Sequence, residues 1–168
     1  METQQQEMTM PKVEPQKEHE WLQQLVGEWT MECGPMPEGA PPATPWTETV
    51  RSLHGLWILA EGRGETPGGS AATTLMTLGY DPQKKRFVGT WIGSMMTHLW
   101  VYDGALDATG KILTLESEGP DMAGEGKMAK YRDVIELKSD DHRVLTSHML
   151  GEDGEWREFM TAHYRRTK

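Results

Sequence analysis

The sequence predicts an all-β protein, an up-and-down antiparallel β-barrel of about ten strands preceded by a short N-terminal helix. From Val26 onward, apolar and polar residues alternate in stretches of about eight to twelve residues, separated by turn-forming segments such as TPGGS, DATG and EDGE. The chain of 168 residues contains 7 Trp, 12 Met and 18 Gly, which suits strands and tight turns around a space lined by large side chains. Closure into a barrel removes exposed strand edges, so we favour it over a two-sheet sandwich.

The elements follow in order along the chain. Residues 1–15 show no periodicity and too few apolar side chains to offset chain entropy, which predicts a disordered tail. Residues 16–25 place Trp21, Leu22 and Leu25 on one helical face, which predicts a short amphipathic helix. Residues 16–168 are expected to form a single domain. The predicted strands are about 26–33, 45–53, 56–64, 71–80, 86–93, 96–106, 111–118, 127–138, 143–151 and 156–166.

Composition excludes several classes of function. The formal net charge is -9, so the chain lacks the basic surface that nucleic acid requires. No apolar run approaches the ~20 residues needed to span a bilayer, and the first residues do not resemble a secretory signal. A single cysteine, Cys33, rules out an internal disulfide. We therefore expect a cytoplasmic protein with no nucleic-acid or membrane partner.

Hairpin turns predict which side chains face the barrel interior. A turn at Ser94-Met95 would pair Trp91 with His98 and Gly89 with Trp100. Charged residues such as Asp103, Glu116 and Glu118 would then lie on the opposite face, which must be the outer one. The side chains predicted to point inward from these three strands are Phe87, Trp91, His98, Trp100, Tyr102, Leu113 and Leu115.

The last three strands are predicted in the same way. A turn at Asp140-Asp141 would pair Asp133 with His148, and a turn at Asp153-Gly154 would set His148 beside Phe159. Charged residues would again lie outside: Arg132, Glu136, Lys138 and Arg143. An inner wall would collect Asp133, Thr146, His148, Thr161 and His163, and the first strand would add Trp29, Met31 and Cys33.

Several segments resemble known families. Gly27-Glu28-Trp29, entering the first strand after a short helix, resembles the Gly-x-Trp signature of the calycin superfamily, which includes lipocalins and fatty-acid-binding proteins. A wider set resembles the uncharacterised family domain of unknown function 1579: HEWLQQLVGEW, GYD at 79–81, FVGTWIGSM at 87–95, EGP at 118–120, YRDVIE at 131–136, DHR at 141–143 and FMTAHYRR at 159–166. This resemblance implies a lipocalin-like barrel with Trp29 at its closed end, and it supplies no catalytic residues.

The main functional hypothesis is that the barrel binds a small hydrophobic or aromatic molecule. About ten strands leave interior space, and ligand pockets are mostly apolar with a few placed polar groups. The predicted ligand-binding residues are Trp91, His98, Trp100, Tyr102, Leu115, Asp133, His148, Phe159, Thr161 and His163.

Two alternatives remain open. One is an enzyme in which Asp133 orients His148 as an acid/base pair. The other is a filled barrel that dimerises or contacts proteins through an exposed face containing Leu99, Val101 and Met160.

No metal or cofactor is predicted, although three inward histidines raise the question. His98, His148 and His163 do not have standard metal-ligand spacing, and the sequence around them lacks a haem motif. Two carboxylates, Glu48 and Glu61, are predicted at a rim neutralised by Arg63, which disfavours glycoside hydrolysis there.

Overall fold

Ten antiparallel strands close into one barrel in the computed structural model, which describes residues 10–33, 38–39 and 44–168. Each strand pairs with its neighbours in sequence, and β1 closes the barrel by pairing with β10. The predicted fold class is thereby confirmed. The elements are α1 (Lys17–Gln23), β1 (Gly27–Cys33), β2 (Trp46–Leu53), β3 (Trp57–Glu65), β4 (Ala71–Asp81), β5 (Arg86–Gly93), β6 (Trp100–Leu106), β7 (Ile112–Pro120), β8 (Met128–Ser139), β9 (His142–Leu150) and β10 (Trp156–Arg166).

Helix α1 lies across one end of the barrel, as its apolar face requires. Residues 10–16 before it are exposed and have no regular secondary structure, and residues 1–9 of the predicted tail lie outside the described residues. The backbone N–H of Gln16 donates to Nδ1 of His19 (2.8 Å), so Nε2 carries the ring proton and donates to the carbonyl of Tyr80 (3.0 Å). Trp21 donates its indole N–H to the carbonyl of Gly110 (2.6 Å). These bonds tie the helix to two hairpins. No helix among the described residues is long and apolar enough to cross a membrane.

The barrel end beneath α1 is closed by a dense apolar core. Trp29 is 2% exposed and donates its indole N–H to the carbonyl of Leu25 at 2.9 Å. Arg166 stacks on the Trp29 ring at 4.3 Å and donates to the carbonyls of Gln24 and Val26, which holds the chain between helix and strand. The largest fully buried side chains are Trp29, Phe87, Leu22, Leu25, Ile58, Leu78, Leu113, Leu115 and Ile135. They fill this half of the barrel.

The β5–β6 connection is longer than predicted. Trp91 pairs with Trp100 and Gly89 with Tyr102, so residues 94–99 form the connection and His98 lies in it rather than in a strand. The predicted pairing of Trp91 with His98 is wrong. Because the error is two residues, it leaves each side chain on its predicted face.

A β-bulge changes the face of β9. The two-residue turn at Asp140-Asp141 forms, since Ser139 pairs with His142, but Leu137 pairs with Arg143 and Lys138 is the extra residue. One inserted residue moves every later side chain of the partner strand to the other face. The interior therefore receives Arg143, Leu145 and Ser147 instead of the predicted Thr146 and His148.

The inner and outer faces of β10 are reversed for the same reason. The predicted pairing of His148 with Phe159 is wrong, because His148 pairs with Glu158. Further along, Thr161 pairs with Thr146 and His163 with Val144. Because the face of β9 is reversed, these side chains lie on the outside, and the interior positions of β10 carry Met160, Ala162 and Tyr164. Phe159 lies at an irregularity between Glu158 and Met160, which lets its ring reach the interior.

Candidate functional site

A cavity of about 680 Å³ occupies the half of the barrel away from α1. Every one of the ten strands contributes at least one residue to its lining. The volume lies within the range of about 300–1,000 Å³ that is typical of pockets for small molecules. The cavity exists because the large core side chains lie at the other end, whereas the positions here include small residues such as Ala60, Gly62, Thr74, Ser117 and Ser147.

The cavity wall is built mainly from sulfur-containing and aromatic side chains. Methionine is flexible and polarisable, so it adapts to ligands of varied shape. Six methionines line the cavity: Met31, Met76, Met95, Met96, Met122 and Met160. Trp46, Trp91 and Trp100 add three indoles.

One aromatic wall is held in place by edge-to-face contacts. The Trp100 ring lies 4.9 Å from the Tyr131 ring and 4.8 Å from the His98 ring, both nearly perpendicular. Tyr131 in turn contacts Phe159 at 6.1 Å and donates its hydroxyl to the carbonyl of Pro120. His98 bonds the carbonyl of Glu118 at 3.0 Å. Such contacts orient the rings and keep the wall preformed.

Two glycines allow indoles to lie against the sheet. A Cβ at Gly119 would overlap the Trp100 ring, and a Cβ at Gly64 would overlap the Trp46 ring. Only glycine permits such a close approach between side chain and backbone. The positions of Trp100 and Trp46 are therefore encoded by the glycines on neighbouring strands.

A buried ion pair lies at the cavity floor. Arg143 donates to the Glu48 carboxylate, and the two side chains are 6% and 14% exposed. The guanidinium stacks against Tyr164 at 3.9 Å and Trp29 at 4.7 Å. Burial and the nearby Glu48 raise the pKa of Tyr164 above its ordinary value, so this hydroxyl keeps its proton. The pair separates the cavity from the apolar core below it.

Asp133 places a second carboxyl at the cavity wall. The Tyr102 hydroxyl donates to its Oδ2 at 2.6 Å, and Ser147 is its partner residue on β9. Burial raises the pKa of Asp133 above its ordinary value, an effect that hydrogen bonding from Tyr102 and Ser147 partly opposes. Burial also raises the pKa of Tyr102, and the adjacent Asp133 adds to that shift. This site can accept a hydrogen bond or neutralise a cation.

The structure brings six of the ten predicted site residues to the cavity and leaves four away from it. The six that line it are Trp91, His98, Trp100, Tyr102, Asp133 and Phe159. Leu115 is fully buried in the apolar core. The other three, His148, Thr161 and His163, lie on the outer surface because the bulge at Lys138 reverses the faces of β9 and β10.

The outer-surface residues make other contacts there. His148 pairs with Arg132 and lies 3.4 Å from its carbonyl, so the predicted Asp133–His148 pair is wrong. Thr161 donates to Glu158, and His163 stacks on His142. A shared metal site for His98, His148 and His163 is likewise excluded, because His98 is inside and the other two are outside.

Three further predictions need correction. Glu48 is not at a rim beside Arg63: it lies in the interior with Arg143, which was predicted to face outward. Met160 was assigned to an exposed face and instead lines the cavity. The prediction for Cys33 needs no correction. This residue lines the cavity, although it is exposed at the end of β1.

Some cavity residues were missed although the sequence carries a signal for them. Trp46, Glu48 and Val50 alternate with threonines, so the buried Val50 places Trp46 and Glu48 on the same inner face. For Arg143 no such signal exists, since a lone arginine in a strand ordinarily faces water.

The family comparison covers nearly the whole described chain. Residues 14–166 match the family model described as Protein of unknown function (DUF1579). No curated protein matches the chain.

Proposed function

This chain belongs to DUF1579, a family of proteins of unknown function, and from its cavity we propose that it binds a small hydrophobic or aromatic molecule inside the barrel. The observation that carries the proposal is the cavity of about 680 Å³ with its methionine and tryptophan lining. Ligand sites combine such apolar walls with a few convergent polar groups. Here those groups are Asp133, Tyr102 and Ser147.

The rim of the cavity supports the same proposal. Four large apolar side chains that border it are exposed to water: Met95 (44%), Met96 (44%), Met122 (62%) and Phe159 (46%). Exposed apolar groups gathered around an apolar cavity commonly mark a binding site. A ligand entering here would cover them and gain their burial energy.

The alternatives receive less support. Proton transfer by His148 next to Asp133 has no geometric basis, since His148 is on the outer surface. A filled barrel disagrees with the open volume that the described side chains leave. Leu99 (53% exposed) and Val101 (59%) do form part of an apolar outer surface, and a homodimer through them remains compatible with ligand binding. A cytoplasmic location is also part of the proposal, supported by the single cysteine.

A fluorescent neutral probe tests the proposal. N-phenyl-1-naphthylamine brightens in apolar surroundings, so titrating it into the protein should give saturable enhancement with one site per chain. At saturating concentration it should also raise the melting temperature by mass action.

Two adjacent substitutions on β7 provide the variant and its control. Ser117 lines the cavity and Glu118 is exposed on the opposite face, so Ser117→Phe should block the cavity whereas Glu118→Phe should not. We expect probe affinity to fall roughly tenfold or more in Ser117→Phe, because the added ring would occupy space that the probe needs. Equal binding by both variants, with both folded by circular dichroism, would refute a site in the cavity.

A further inference from the structure

Carboxylates outnumber basic side chains in the described lining of the cavity. None of the described residues that line it is lysine or arginine, whereas three are carboxylates: Glu48, Asp121 and Asp133. Glu48 is already neutralised by Arg143, which reaches it from the floor. Among the described residues, no lysine, arginine or histidine forms an ion pair with Asp133. Within the described part of the chain, the cavity thus holds one deeply placed acid without a cationic partner.

The groups around Asp133 are neutral or hydrogen-bond donors. From β6 the Tyr102 hydroxyl donates to it, from β9 Ser147 faces it, and from β7 its partner is Leu115. Tyr164 on β10 stays protonated. His148 on the outer surface partly opposes the rise in the Asp133 pKa, but Asp133 pairs in register with Ser147 and not with His148. The Asp133 carboxyl can therefore accept further hydrogen bonds, and no described residue forms an ion pair with it.

The remaining wall also favours positive charge. Aromatic rings carry negative electrostatic potential on their faces, which attract ammonium groups, and the cavity is lined by Trp46, Trp91, Trp100 and Tyr131. A ligand carboxylate would meet the buried acid without any arginine or lysine in the described lining to neutralise it. Such a ligand is disfavoured by desolvation and by like-charge repulsion.

We propose that the ligand is a cationic amphiphile, an apolar or aromatic body carrying a protonated amine that pairs with Asp133 inside the barrel. This inference rests on the proposed function. The amine N–H groups donate to the carboxylate, while the apolar body packs against Trp100, Tyr131 and the methionines. The raised pKa of Asp133 agrees with this assignment, because an ammonium ion would relieve the cost of the buried negative charge.

Three naphthalene compounds that differ in the charge of one group test the inference. They are 2-(1-naphthyl)ethylamine, 2-(1-naphthyl)ethanol and 1-naphthylacetic acid, each titrated by calorimetry at pH 7 into the full chain. We expect the amine to bind roughly tenfold or more tightly than the alcohol, and the acid to bind most weakly.

Asp133→Asn isolates the group responsible. Asparagine has the same shape and can still accept from Tyr102, so the fold should persist, as checked by circular dichroism and by binding of N-phenyl-1-naphthylamine. The variant should lose the preference for amine over alcohol without losing the alcohol. Asp103→Asn, on the outer face of β6 where Asp103 pairs with Arg86, is the matched control and should keep the preference.

The outcomes separate the two proposals. If the neutral probe binds but the amine binds no better than the alcohol, the cationic ligand is refuted and cavity binding stands. If Asp133→Asn keeps the preference for the amine, the assignment to Asp133 is refuted. If neither the probe nor any naphthalene compound binds the folded protein, both proposals fail.

Discussion

Replacing Glu48 with glutamine should destabilise the protein by about 3 kcal/mol, near the lower end of the range for breaking a buried ion pair. The side chains of Arg143 and Glu48 are 6% and 14% exposed, so little water can reach the guanidinium to replace the lost carboxylate. The Nε atom of Arg143 already has no hydrogen-bond partner among the described residues, so loss of the carboxylate leaves the buried guanidinium with still fewer partners. The Arg143 guanidinium would still stack on Trp29 and Tyr164 in the variant, so we expect a loss of stability below the upper end of that range.

Urea unfolding followed by far-ultraviolet circular dichroism measures this loss. For a domain of this size, about 3 kcal/mol corresponds to a melting temperature lower by about 6–12 °C. The matched control is Glu116→Gln, which removes the ion pair between Glu116 and Arg132. The Glu116 side chain is 52% exposed, so this substitution should cost at most about 1 kcal/mol. Equal losses in the two variants would refute the view that burial makes the floor pair strong.

Three further measurements test other features of the structure. Burial raises the folded-state pKa of Asp133, so the folded state binds the proton more tightly and wild-type stability falls as pH rises from about 4 through that raised pKa. Asp133→Asn does not titrate, and its unfolding free energy relative to wild type should therefore increase between pH 4 and pH 7; a constant or falling difference in urea titrations contradicts this. Gly119→Ala should displace Trp100, shift its fluorescence and cost about 1–3 kcal/mol, whereas Gly68→Ala, with open space around it, should not. Arg166→Met removes three hydrogen bonds to backbone carbonyls, so hydrogen exchange of helix α1 should quicken markedly while an outer-surface Arg157→Met leaves it unchanged.

The errors in register show how far local pattern extends. The β5–β6 prediction missed the length of the connection by two residues, and Trp91, Trp100 and Tyr102 still face the interior because the side-chain period of a strand is two. The β8–β9 prediction had the correct turn and missed one bulged residue, which was enough to reverse the next two strands.

The rule that charged side chains face outward gave correct predictions except for a buried ion pair. Asp103, Glu116 and Glu118 are exposed, as their placement on the outer face predicted. Arg143 was assigned outward by the same rule and is buried, because Glu48 neutralises it from a strand 95 residues away in the chain. A rule based on single side chains cannot detect such a pair, since the cost of burying each charge is offset only when both are present.

Alternation, turn residues and amphipathic spacing are local properties of the chain, and they were enough to predict the ten-strand antiparallel barrel, the covering helix and the inward aromatic side chains of β5 and β6. Local pattern could not predict the inner faces of β9 and β10, the Glu48–Arg143 floor or the separation of Asp133 from His148. These depend on a single bulge and on contacts between distant strands, which form only when the barrel closes.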